Sequence, residues 1–181
     1  LTRIDLSAKQ SCDVEMIGVG AFSPLTGFMG KADFDSVVSD MKLADGNIWP
    51  IPITLATDEG KAKKGDRVAL YAPNGVLQAV MTVEEVYAHD TAKEATIFFN
   101  GAEDDGKHPG AEAVKAGGPV CLAGPIEVVT TCVDPEGPEA FLDHRLTPAQ
   151  TRAAFEKKGW KTVSAFQTRN PIHRAHEYLC K

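Results

Sequence analysis

Residues 147–181, TPAQTRAAFEKKGWKTVSAFQTRNPIHRAHEYLCK, hold the pattern that decides the fold class. Thr147 has the chemistry of a helix cap, Pro148 that of a first helical residue, and Gly159 ends the segment AQTRAAFEKK. Lys161–Gln167 then reads as a buried strand, Thr168–Asn170 as a turn, and Pro171 as the beginning of another helix. Helix, strand, turn and helix in this order open an α/β nucleotide-binding unit. One strand cannot make a sheet, so the expectation is a domain completed by polypeptide outside these residues.

Upstream of Asp134-Pro135-Glu136-Gly137-Pro138 the character differs. Residues 14–29 are apolar but punctuated by Gly18, Gly20, Pro24 and Gly27, which predicts short extended pieces rather than a helix. Residues 31–44 place Phe34, Val37, Val38, Met41 and Ala44 at helical spacing. Pro50 and Pro52 demote Ile48–Leu55 to an edge strand. A polar turn over Lys61–Asp66 leads to a strand at Arg67–Tyr71, and Asn74-Gly75 predicts a hairpin into Val76–Tyr87. Thr96–Phe99 reads as a further strand. The glycine-rich residues 100–119 read as a long loop with a short helix at Ala111–Lys115. Val120–Leu122 and Ile126–Thr131 close the series. The expectation is α+β overall: a β-rich small barrel or folded sheet with little helix over residues 1–138, then the first α/β elements over residues 139–181.

The 181 residues, 43% hydrophobic and 24% charged, are those of an ordinary globular protein. No stretch approaches 18 consecutive apolar residues, which excludes a spanning helix, and LTRIDLSAKQ lacks the apolar core of a signal peptide. A cytoplasmic protein is expected. Charge is unevenly divided: residues 1–140 carry a balance of −11 and residues 141–181 one of +5, with three of the five histidines. The acidic body disfavours nucleic acid, whereas a basic tail suits a small anion; a chance local excess is the bland alternative. Cys12, Cys121, Cys132 and Cys180 contain no Cys-x-x-Cys pair and read as reduced, mostly buried thiols rather than a zinc site or disulfide framework.

The chemistry concentrates in QTRNPIHRAH, residues 167–176. Arg169 offers a planar fork for a tetrahedral oxyanion, Gln167 and Asn170 add neutral donors, and His173 and His176 are spaced to share one helix face. A strand-to-helix junction favours an anion, and the segment contains no carboxylate. Plainer readings stand beside this one. The His pair at this spacing also fits a metal site, but no third ligand is evident. Arg169 also fits a solvated turn, Asn170 a helix cap, and Pro171 a first-turn proline.

The segment resembles the signature of the ATP sulfurylase (sulfate adenylyltransferase) family, Gln-x-Arg-Asn-Pro-x-His-x-x-His, at every position. GAFSPLTGFM (20–29), LADGNIWPIPITL (43–55) and His108-Pro109-Gly110 resemble that family's N-terminal domain. The resemblance implies a PUA-like barrel followed by a Rossmann-like nucleotidyltransferase domain. It implies transfer of the adenylyl group of MgATP to sulfate, giving adenosine 5′-phosphosulfate and pyrophosphate, with Mg2+ entering as MgATP. Gln167 and Arg169 would hold sulfate, and Gln167, Thr168, Arg169 and Asn170 would line the ATP phosphates. His173 and His176 would face those phosphates, and Thr168, Arg169 and Asn170 count as catalytic. The family is usually oligomeric. Its further Gly-Arg-Asp type loop lies downstream of the His pair and outside this sequence, so an N-terminal fragment is expected.

Two competing functions are weighed. PUA-like folds elsewhere bind RNA, which the −11 balance over residues 1–140 opposes. Other nucleotidyltransferases share a His pair but commonly read His-x-Gly-His, where Ala175 stands here.

Overall fold

Val120–Val128 is strand β7, and the sheet is assembled on it. The computed structural model describes residues 1–99, 108–130 and 146–181. Up to Ala123, β7 pairs antiparallel with β3 (Leu55–Thr57) and with β6 (Glu85–Ala88), so that Leu122 lies opposite both Leu55 and Val86. From Gly124 onward it pairs instead with β2 (Gly27–Phe28) and β5 (Leu77–Thr82). β4 (Arg67–Tyr71) adds antiparallel to β5, and β1 (Thr2–Asp5) adds parallel to β4. The change of partners falls at Gly124, whose φ of +143° is closed to side-chain-bearing residues. A Cβ on Gly27 would collide with the Gly124 carbonyl, so β2 reaches β7 only as glycine. The sequence pattern predicts two strands here. The structure makes them one because Gly124-Pro125 interrupts the apolar period without interrupting the ladder.

More helix is present than the sequence pattern predicts. α1 (Ala8–Gly18) runs through residues expected to be extended. Ser7 and Gln10 form a capping box, and Ser11, Val14 and Ile17 share the buried face, so the glycines and Pro24 end the helix rather than prevent it. α2 (Lys31–Asp40) matches expectation, with Phe34, Val37 and Val38 buried. Its N-terminus is held by Glu85, which accepts from the Lys31 N–H at 2.9 Å. Met41, expected on the apolar face, is 53% exposed because the chain turns into the left-handed region there at φ +54°. Thr96–Phe99, expected as a strand, is the last part of α3 (Thr91–Phe99). Its β-branched and aromatic content is overridden by the anchoring of Glu94 and Ala95 in the interior. α4 (Pro109–Lys115) and the β4–β5 hairpin with its turn at Asn74-Gly75 form as predicted. Of Ile48–Leu55 only Leu55 enters a strand, since prolines at 50 and 52 cannot donate to a ladder.

Residues 1–142 form one compact unit and residues 143–181 a second. In the second, α5 (Pro148–Lys157) is capped by Thr147 with Gln150 completing the box, and Gly159 turns the chain at φ +67°. α6 covers Arg174–Cys180. The buried strand expected at Lys161–Gln167 is not formed: residues 161–167 are exposed and in neither helix nor strand. A strand of a parallel sheet needs hydrogen-bonding neighbours on its edges, and the described residues of this unit supply none. Only Cys121 among the described cysteines is buried; Cys12 and Cys180 are exposed, correcting the expectation of mostly buried thiols. The Asp134–Pro138 linker, the 138/139 boundary, Cys132 and His144 lie outside the described residues. Among the described residues, no helix is long and apolar enough to cross a membrane.

Two buried polar links fasten helices to the sheet of the first unit. Gln78 on β5 is fully buried; its amide donates to the Ser11 carbonyl and accepts from the Ser11 hydroxyl, both at 2.8 Å. His89, just after β6, bonds Glu94 of α3 through Nε2 at 2.7 Å and the Gly118 carbonyl through Nδ1 at 3.2 Å. A carbonyl only accepts, so Nδ1 carries a proton. Burial opposes charge on this ring, but the neighbouring Cys121 and the Glu94 carboxylate outweigh it and lift His89 to about 10. Burial also pushes the Tyr87 phenol up, with Cys121 adding to it; the phenol donates to the Met29 carbonyl at 3.0 Å.

Gln78→Ala should remove both bonds to Ser11 and leave a cavity, lowering stability by about 3 kcal/mol in urea unfolding. The pH dependence of His89 follows from its raised value. Its stabilisation is complete below the ordinary 6.5 and is lost as pH rises through about 10. Unfolding of the unmodified chain and of His89→Gln should therefore differ by about 3 kcal/mol in mildly acid solution. That gap should shrink steadily toward pH 10; a constant gap would mean that the ring is uncharged in the fold.

Candidate functional site: the 167–176 turn and histidine pair

The turn after Gln167 is shaped by Thr168. Its hydroxyl donates to the Asn170 carbonyl at 3.2 Å and accepts from the Asn170 N–H at 3.1 Å. Asn170 is thus a turn residue and not the cap of α6. Pro171 lies outside the helix rather than in its first turn, because a residue before proline is held extended and the helix begins only at Arg174.

The cap is His173. The N–H of Ala175 donates to His173 Nδ1 at 3.3 Å, and the N–H of His173 donates to His176 Nδ1 at 3.3 Å. This is a reciprocal capping box built from two imidazoles. The rings lie 3.9 Å apart between centroids. Their expected sharing of one helix face is met in effect, although His173 precedes the helix. A ring nitrogen that accepts a hydrogen bond carries no proton, so each neutral ring holds its proton on Nε2. Both Nε2–H groups lie across the ring from the backbone and are available as donors. The Phe166 ring stands 5.7 Å from that of His176.

Gln167, Arg169 and Asn170 are exposed, Thr168 and His176 half-buried, and His173 exposed. The structure therefore brings together Thr168 with Asn170, and His173 with His176. It leaves the Gln167 and Arg169 side chains without a hydrogen-bond or ion-pair partner among the described residues. Within residues 167–177 the sole carboxylate is Glu177, which is paired with Lys181 at 2.7 Å. The segment thus presents Arg169, Arg174 and the imidazole donors with no opposing charge at the turn. Such a set suits an oxyanion, by charge and by N–H donation. Among the described residues no cluster of three or more His, Cys, Asp or Glu side chains is placed to hold a metal ion.

Among the described residues the first unit has clefts of about 420 and 640 Å3. The larger is walled by Ser7–Gln10, Thr57 and the His89–Glu94 pair. That pair escapes sequence inspection, since its partners at Glu94 and Gly118 are joined only by the fold.

Comparison with known proteins finds two family matches along the chain. A PUA-like domain family model matches residues 1–131, and an ATP-sulfurylase model matches residues 143–181. The sulfate adenylyltransferase of Symbiobacterium thermophilum is 46% identical over 184 residues, covering all of this chain and 45% of the relative. That of Ruthia magnifica is 46% identical over 182 residues, covering all of this chain and 44% of the relative. Among solved structures, a hexameric APS kinase from Thiobacillus denitrificans matches 99% of this chain and 31% of its own, with a TM-score of 0.67 and 33% identity. The chain spans less than half the length of these curated relatives. The chain therefore belongs to the PUA-like domain family over residues 1–131, and it matches the ATP-sulfurylase model over residues 143–181 and sulfate adenylyltransferases along its whole length.

Proposed function

We propose that this chain supplies the oxyanion-handling segment of a sulfate adenylyltransferase. In that enzyme sulfate attacks the α-phosphate of MgATP in line, giving adenosine 5′-phosphosulfate and pyrophosphate, or the reverse. The observation that carries the proposal is the 167–176 segment. Its exposed guanidinium and amide donors and its two Nε2–H imidazoles stand without a carboxylate, in a chain 46% identical to proteins named sulfate adenylyltransferase.

Sulfate is fully ionised at neutral pH, so its attack needs no general base. The reaction requires that two mutually repelling anions be aligned and that charge growing at the α-phosphate be neutralised. Arg169 and Gln167 would hold sulfate, the fork of Arg169 engaging two oxygens at once. Gln167, Thr168, Arg169 and Asn170 would line the ATP phosphates, and His173 and His176 would donate through Nε2–H to the phosphates and the departing pyrophosphate. Mg2+ would arrive with ATP as part of the substrate. Residues 161–167 would become a strand of a Rossmann-like sheet once neighbouring strands are supplied, with residues 1–138 as the PUA-like domain and 139–181 as the start of the catalytic one. A cytoplasmic homo-oligomer in sulfate assimilation is the setting this implies; the hexameric assembly named for the similar solved structure supports the oligomer.

Pyrophosphate release from MgATP with molybdate tests the proposal, because the mixed anhydride of molybdate with AMP hydrolyses and turnover continues. The assay is made on this chain and on the chain joined to the remainder its relatives carry. Molybdate-dependent release is expected from the joined chain. Arg169→Ala should lower it by about 100- to 1,000-fold, the usual loss for one transition-state donor. Arg169→Lys, which keeps the charge without the fork, should recover only part of the loss. Release independent of molybdate in both forms, or full activity in Arg169→Ala, would overturn the assignment.

A further inference from the structure

We propose that Phe166 is a positioning residue, holding the His173–His176 pair in the orientation that presents both Nε2–H groups to an oxyanion. Phe166, His176 and His173 form a row of three rings, with centroids 5.7 Å and then 3.9 Å apart and tilts of 52° and 42°. The Thr168–Asn170 turn folds the chain between them, so that a residue ten positions before His176 lies beside it. Phe166 is 48% exposed. Among the described residues the His176 imidazole is its ring partner.

The physical need for such a support lies in the cap itself. A half-turn of either imidazole about χ2 exchanges Nδ1 with a carbon and discards the bond from the backbone amide. It also carries Nε2–H away from its direction. The two cap bonds are long, at 3.3 Å each, and do not by themselves fix a ring that is open to water. His173 is braced by His176, and His176 has the Phe166 ring as a second ring neighbour. The oxyanion's identity rests on the adenylyl-transfer proposal; the bracing rests on the three rings alone.

Nitrogen-detected NMR of the histidine rings in the full 181-residue chain tests this. In the unmodified chain both rings should report a proton on Nε2, and the His176 ring protons should show a ring-current shift. Phe166→Leu should abolish that shift and leave His176 a mixture of tautomers, while the helix signal in circular dichroism is retained. Phe166→Tyr, which keeps the ring, should restore both signatures. No ring-current shift in the unmodified chain, or an unaltered His176 tautomer in Phe166→Leu, would overturn the proposal. In the pyrophosphate assay Phe166→Leu should lower kcat by about 10- to 100-fold with KM for MgATP little changed. Ring signatures that respond as expected, with no molybdate-dependent release from the chain joined to the remainder its relatives carry, would uphold the bracing and count against adenylyl transfer.

Discussion

The first unit depends on a single change of partners within β7. Nine residues, Val120–Val128, pair with four other strands, and the exchange happens where Gly124 takes a φ that only glycine adopts cheaply. Before Gly124 the strand holds β3 and β6; after it the strand holds β2 and the β5–β4–β1 group. The core follows from that arrangement. Leu122 on one segment of β7, and Met81 and Leu70 on the strands joined to the other, pack in one buried cluster with Val14 of α1 and Val37 of α2. Burying such side chains contributes about 1.5–3 kcal/mol each, so the cluster rather than any surface ion pair sets the stability.

Polar groups do a different job. Gln78 and Ser11 exchange two hydrogen bonds inside this core, and His89 ties β6 to α3 and to the Gly118 backbone. Neither link gains much net energy over hydration when made, but each is costly to leave half-made. They therefore discriminate between correct and slipped placements of helix on sheet. A shift of α1 along β5 would strand the Gln78 amide in an apolar interior. The same asymmetry makes the buried His89–Glu94 pair a fastening whose loss is felt more than its formation.

Legibility from sequence followed the range of the interactions. Thr147, Pro148, Gln150 and Gly159 mark α5 by contacts within a few residues, and the structure reproduces them in detail. Asn74-Gly75 does the same for its hairpin. Thr96–Phe99 misled because Thr-Ile-Phe-Phe favours strand locally, while the burial of Glu94 and Ala95 that fixes the helix is a tertiary fact. Lys161–Gln167 misled in the opposite way: its apolar pattern is that of a sheet strand, and the partners that would make it one are not among the described residues. In the candidate site the sequence offers residue types suited to an oxyanion, Arg169 and the His pair, beside the plainer readings of turn and cap. The capping role of His173 was not, because histidine is an unusual cap and Asn170 is an ordinary one. Only the two amide-to-Nδ1 bonds reveal which of them starts the helix.

Those bonds also divide the site into parts with different costs. The His pair is held by these long bonds together with its ring contacts before any ligand arrives, so its donors are presented with little further loss of freedom. Arg169 and Gln167 are exposed, and an arginine immobilised from solvent gives up rotamer entropy of about 2 kcal/mol. An oxyanion approaching this segment therefore meets a prepared imidazole pair and an adaptable guanidinium. In the proposed reaction the prepared imidazole pair would face the ATP phosphates, and the adaptable guanidinium would close on sulfate as it is drawn toward phosphorus.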